Sequence, residues 1–294
     1  MIVASECAAG LYPQNTLAGF QYCLDARVDG IEFDVHLSAD GEVIVQHDYR
    51  INTDITRDSS GNWLEQPVKF ICDSTLEELC TYDVGRYRDS SELNSNYPEY
   101  IPCDKEAIPT LEQFLDAVNA QNDSKCELWL ELKTTPLDRR ISSDPVKLLD
   151  AVLSKLDTAG LLERTILLAF EWNVLVRAKR LAPSIRTDFL SISTKVLKRF
   201  YPKSGVVALN AVYGEYQPDD FPSIPATIAA AGGDWWGPLI GEISLQGLLD
   251  AGEHGIRVNA WGVGSSDEAI RQAMAMGLDA ITLARPDRAR HLQK

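Results

Sequence analysis

Three short stretches of this chain carry residues that could do chemistry together. In "GIEFDVH" Glu32 and Asp34 are two residues apart, and in "CELWLELK" Glu131 and Lys133 are spaced the same way. On an extended backbone this spacing puts each pair on one face, with Ile31, Phe33 and Val35, or Leu128, Leu130 and Leu132, on the other. One alternating strand is most simply a solvated face. Two in one parallel barrel are different, because there the apolar face packs on helices and the polar face points into the lumen. Three inward carboxylates, Glu32, Asp34 and Glu131, cannot all stay ionised together without a balancing cation, and Lys133 alone is too little. Oxygen ligands with no nearby cysteine or suitably spaced histidine favour Mg²⁺ or Ca²⁺ over zinc. "VIVQHD" then places His47 at a strand end. Beside a metal that binds phosphate it is a candidate general acid or base; elsewhere it is an ordinary buried or surface histidine. His36, His254 and His291 read as structural or surface residues.

The elements that must position these groups alternate between strand and helix patterns. "MIVAS", "GIEFDV", "EVIVQH", "CELWLELK", "RTILLAF", "IRTDFLS", "GVVALN", "GIRVNAW" and "DAITLA" read as strands. Helical periodicity fills most gaps, as in "NTLAGFQYCLDARV" and "DPVKLLDAVLSKLDTAG". This order specifies a parallel sheet covered by helices. Nine strands exceed the eight of a closed barrel, and the tight "SADG" turn makes one early strand a hairpin arm. The chain reads as a single domain, 1–294, interrupted by a polar, loop-rich insertion at 50–107 that serves as a lid or as a structural ornament. Thr75 with Glu78 and Thr110 with Gln113 have capping-box spacing.

Composition limits the partners. The formal charge is −15 over 294 residues and no basic cluster stands out, so nucleic acid is excluded as a partner. No apolar run approaches a membrane span, and Met1 leads straight into strand residues, so the expectation is a soluble, cytoplasmic protein with no membrane partner. The six cysteines lie in the first half without paired spacing and read as free thiols. Homo-oligomerisation is compatible with the chain but not specified by it.

"PQNTLAGF", "DGIEFDVHLSADGEVIVQHD", "STLEEL", "IPTLEQFLDAV", "LELK" and the closing "GIRVNAW…GLDAITLARP" occur in an order and spacing that resemble the glycerophosphodiester phosphodiesterase family. The resemblance implies a TIM-type (β/α)8 barrel with a small insertion after the His-Asp strand. It also implies a divalent metal on Glu32, Asp34 and Glu131, catalysis by His47, and Lys133 near the phosphate. Family members begin with His-Arg-Gly at the end of the first strand, eight residues before the helix-start proline. Here that count lands on Ser5, Glu6 and Cys7, so the first catalytic histidine and its arginine are missing. The family's Thr-Asp falls on Leu283 and Ala284, and its strand-five serine on Ala169.

Two readings follow. In the first, His47 works with the metal, Glu6 supplies the missing base, and Ser5 helps to bind a small soluble phosphodiester, with a cyclic phosphate on the route. The family class implies a glycerophosphodiester or a sugar phosphodiester such as an opine. Trp261 and Trp235 are candidates to stack on a sugar ring, filling core volume being the competing role, and adjacent Trp235 and Trp236 cannot both face the lumen. In the second reading, catalysis is lost and a phosphodiester-binding or sensing protein remains.

Overall fold

The structure, a computed structural model, describes residues 1–66, 69–121, 125–200 and 206–293. Eight parallel strands close on themselves: β1 (Ile2–Ala4), β2 (Gly30–Leu37), β4 (Glu127–Leu132), β5 (Thr165–Ala169), β6 (Arg186–Ser191), β7 (Trp235–Pro238), β8 (Arg257–Ala260) and β9 (Ala280–Leu283). β1 pairs in parallel with both β2 and β9, which seals the barrel. The remaining strand, β3 (Val43–Val45), is antiparallel to β2, with Val35 opposite Val45. It is the expected hairpin arm, turned at Gly41, whose φ of 88° suits glycine.

The alternation read from the sequence sorts as it should. Ile31, Phe33, Val35, Leu128, Leu130 and Leu132 all enter the large cluster between sheet and helices. There Phe33 stands edge-on to Phe114 at 5.1 Å, and Phe114 stacks on Phe20 at 4.1 Å, locking the 17–26 and 111–120 helices to β2. Thr16 caps the first helix by accepting from the Gly19 amide, and both expected capping boxes form, at Thr75/Glu78 and Thr110/Gln113. The lower lumen is filled by a separate cluster that includes Val3, Trp129, Ile166 and Trp235. Gly30 is required here, since a Cβ would sit 2.5 Å from Trp129 Nε1.

One strand is misplaced by the sequence reading. "GVVALN" is not a strand; its described part opens the helix Val206–Tyr213, and the sixth stave of the barrel is Trp235–Pro238 instead. Two valines gave that stretch its strand character, and the true stave is disguised by a glycine and a proline. Pro238 is tolerated because it is the last residue of the strand. The polar stretch 50–107 is mostly loop, with short helices Leu76–Leu79 and Glu92–Asn96 over a small core of Ile44, Ile51, Ile71, Leu79, Val84 and Ile108.

Candidate active site

The inward residues of β2 and β4 meet at the C-terminal mouth of the barrel. Glu32, Asp34 and Glu131 bring one oxygen each to within 4.8 Å of one another. β2 and β4 are in register with Asp34 opposite Glu131, so the sheet itself sets this spacing. Lys133, one step beyond β4, lies 2.9 Å from Glu131 and 3.4 Å from Asp34. Burial, then the charges of Asp34, Glu6 and Glu131, push the Glu32 carboxyl well above its ordinary range. Burial also raises Glu131, against the pull of Lys133. Asp34 stays below its usual value despite burial, because Lys133, His47 and a hydrogen bond from Asn15 favour its anion. Its Oδ1 accepts no hydrogen bond and has only the Lys133 ammonium, at 3.4 Å. Three crowded carboxylates sharing one ammonium are a donor set that fits a divalent cation.

Asn15 is what fixes Asp34. Its Nδ2 donates to Asp34 Oδ2 at 2.9 Å, and its Oδ1 accepts from the Asp34 amide at 3.1 Å. It does so from a left-handed backbone, φ 55°, which asparagine tolerates better than most residues.

The first-strand loop approaches the same cluster. Glu6, Cys7 and Ala8 follow one another at φ 46°, 61° and 64°. Three consecutive non-glycine residues in this region cost about 1–2 kcal/mol each, so the surroundings must hold the turn. Part of that hold is Glu32, which accepts from the Glu6 amide at 2.7 Å and from the Ser5 hydroxyl at 3.3 Å. Ser5 is therefore at the site, but its hydroxyl is engaged by Glu32. Burial pushes the Glu6 carboxyl up to about 7, with His47 working against the rise.

His47 sits at the rim, its side chain 42% exposed, with Nδ1 at 3.0 Å from Asp48 Oδ1. Lys133 and burial depress its pKa, but Glu6, Asp34 and the Asp48 hydrogen bond prevail and lift it to about 10. Asp48 is itself held by Asn52 Nδ2 at 2.7 Å. His36, below the rim, is a structural residue: it contacts the His47 carbonyl oxygen at 3.3 Å through Nε2, and burial and Lys133 keep it neutral, at about 4.

These groups line a cavity of about 280 Å³. Ser5, Glu6, Glu32, Asp34, His47, Glu131, Lys133 and Trp261 are all brought to it. Trp235 is not. It faces the lumen, as one of the paired tryptophans must, but lies a layer lower, 1% exposed and edge-on to Trp129 at 4.9 Å. Its expected contact with substrate is corrected to a packing role. Ala169 belongs to the helix-facing cluster, whereas Leu283 packs in a second cluster and also lines the cavity, next to Ala284. The cavity adds residues that the sequence reading missed. Tyr97 reaches it from the 50–107 stretch and hydrogen-bonds Ser265. Phe170, Asn259 and Thr282 line it from the later strands, Asn259 being held by the buried Asp188. A lone aromatic in a polar stretch, or one aspartate in an apolar strand, carries no spacing signal.

The model of the glycerophosphoryl diester phosphodiesterase family matches residues 7–288, a span that holds every one of these strands except β1. The chain belongs to this family. The YhdW protein of Bacillus subtilis, provisionally named a glycerophosphodiester phosphodiesterase, is 29% identical over 97% of this chain and 95% of its own length. A crystal structure of a Silicibacter pomeroyi protein, provisionally named a glycerophosphoryl diester phosphodiesterase, superposes with a TM-score of 0.85 at 28% identity, covering 98% of this chain and 90% of that one. An Oleispira antarctica phosphodiesterase, solved in complex with the product sn-glycerol-3-phosphate, has the same fold, with a TM-score of 0.68 at 19% identity over 99% and 95% of the two chains. Family and fold agree with the expectation of a phosphoric diester hydrolase on a TIM-type (β/α)8 barrel. Among the described residues no helix is long and apolar enough to cross a membrane.

Proposed function

We propose that this family member hydrolyses a small glycerophosphodiester or sugar phosphodiester to a phosphomonoester and an alcohol, with His47 and Glu6 moving the protons. The observation that carries the reading is the pairing of a carboxylate-held histidine with a three-carboxylate cluster across one cavity. Glu32, Asp34 and Glu131 would hold a divalent ion, Mg²⁺ or Ca²⁺, which when bound neutralises charge on the phosphate. Lys133 keeps two of these carboxylates in place and adds a positive charge beside the phosphate.

Glu6, ionised above a pH of about 7, accepts the proton of a hydroxyl on the substrate itself. That oxygen forms a bond to phosphorus as the bond from phosphorus to the departing alcohol breaks. His47, protonated and oriented by Asp48, gives its proton to the departing oxygen. The cyclic phosphate so formed is opened by water with the two roles reversed. The stretch 50–107 acts as a lid segment that brings Tyr97 over the cavity.

One observation favours a second reading, a phosphodiester-binding protein without turnover. Glu6 stands where the family resemblance expects an arginine, and its buried carboxylate adds negative charge beside the phosphate position. Steady-state hydrolysis of glycerophosphodiesters by the metal-supplemented protein and by His47→Ala separates the two. A loss of about 10²-fold or more supports the proposed role. Equal rates for both proteins would remove His47 from the mechanism, and binding without any turnover would establish the second reading.

A further inference from the structure

The cavity has two unlike halves. Among the described residues, β1 to β4 and their loops supply all of its charged side chains, and no cavity-lining residue from β5 onward is charged. Leu168 from β5, Phe170 just after it, Leu190 from β6 and Trp261 after β8 instead form one continuous apolar wall, the top layer of the cluster that fills the lumen. Phe170 and Trp261 meet edge to face at 5.7 Å, both partly buried.

Most polar atoms on this side are already engaged, the exception being Asp188 Oδ1, which is buried without a partner. Trp261 Nε1 donates to the Gly237 carbonyl at 3.1 Å. Thr282 Oγ1 donates to Asn259 Oδ1 at 2.9 Å, and Asn259 Nδ2 to Asp188 Oδ2 at 2.9 Å. The Tyr97 hydroxyl, at the rim, shares its hydrogen bond with Ser265. A polyhydroxyl or charged group placed against this wall would leave its water and find few partners in exchange, which is costly. An apolar group would lose nothing and bury its surface.

We infer that the wall of Leu168, Phe170, Leu190 and Trp261 selects phosphodiesters whose departing alcohol is a short alkyl or aryl group, while the phosphate and glycerol lie in the acidic half. The inference rests on the hydrolytic reading above and narrows its substrate class. A cavity of about 280 Å³, open at its mouth, holds a short apolar group against this wall.

The test is kcat/KM for the Mg²⁺- or Ca²⁺-supplemented protein on glycerol-3-phosphate esters of methanol, ethanol, propanol, butanol and benzyl alcohol, beside glycerophosphoglycerol and a glucose phosphodiester. The expected result is a rise of roughly threefold to fourfold per methylene up to butanol, with both polyhydroxyl diesters at or below the methyl ester. Trp261→Ala flattens that rise, and Trp261→Phe restores part of it. A flat series, or preference for the polyhydroxyl diesters, would overturn the inference and leave the hydrolytic reading standing. Turnover of none of these esters would remove both. The wild-type series decides the question even where a variant fails to fold.

Discussion

His47 Nδ1 lies 3.0 Å from Asp48 Oδ1, and Asn52 holds the other oxygen of the same carboxylate at 2.7 Å. Two adjacent residues thus form a histidine with one ring nitrogen committed, leaving Nε2 for a substrate. Asp48→Asn keeps the shape but loses the charge that holds the ring and favours its protonated form. The expected outcome is a fall in kcat of about 10²-fold with KM little changed, measured in steady state. A KM effect alone would make Asp48 a binding residue.

Asn15 pins Asp34 through two hydrogen bonds, at 2.9 and 3.1 Å, without facing the substrate itself. Asn15→Ala frees the carboxylate to rotate. Outer hydrogen bonds of this kind typically contribute about 10–100-fold in metal affinity. Calorimetric titration with Mg²⁺ or Ca²⁺ checks this, and unchanged affinity would place the ion elsewhere.

Asp188 is buried on β6, where one oxygen accepts from Asn259 and the other has no partner. Burial raises its pKa from 3.8 to about 7. An acid raised in the fold binds its proton more tightly there than in the unfolded chain. Its contribution is therefore fully present below about 4, is lost as pH rises, and is gone above about 7. Asp188→Asn removes that dependence. Urea unfolding at pH 5 and pH 8 is expected to show the variant gaining on the wild type at pH 8, by a few kcal/mol at most. Parallel pH profiles would mean the carboxyl finds a partner when ionised.

Gly30 opens β2 against the edge of the Trp129 indole, with 2.5 Å from a built Cβ to Nε1. Trp129 is fully buried and packed on Trp235, so it has nowhere to move. Gly30→Ala is expected to cost about 1–3 kcal/mol in urea unfolding. A neutral result would show slack in the lower lumen.

The barrel and the acidic half of the site were legible because they are written as periodicity. Glu32 and Asp34, then Glu131 and Lys133, repeat at the two-residue period of a strand, and parallel pairing turns that spacing into a cluster. Asn15 and His47 lie in motifs that could be matched. The apolar half could not be read the same way. Phe170 and Trp261 are single aromatics at strand ends, and only barrel closure sets them side by side. Asp188 looks like a lone polar residue in "RTDFLS" until Asn259 and Thr282 reach it across the lumen. Composition hides the strand at Trp235–Pro238, and the sequence leaves Trp235 open between cavity and core because it shows which face a residue takes, not how deep it lies. Ser5 and Glu6 could be flagged as departures, but their bonds to Glu32 needed the turn at φ 46° to be seen.

The most direct test of the central claim is ³¹P NMR of the protein with a glycerophosphodiester and Mg²⁺ or Ca²⁺, followed by chelator. The account predicts conversion of the diester signal to a phosphomonoester, with a cyclic phosphate on the way. Conversion should stop on chelation and should be absent with Glu131→Gln. A diester signal that persists with either ion, or one that converts equally after chelation, would contradict it.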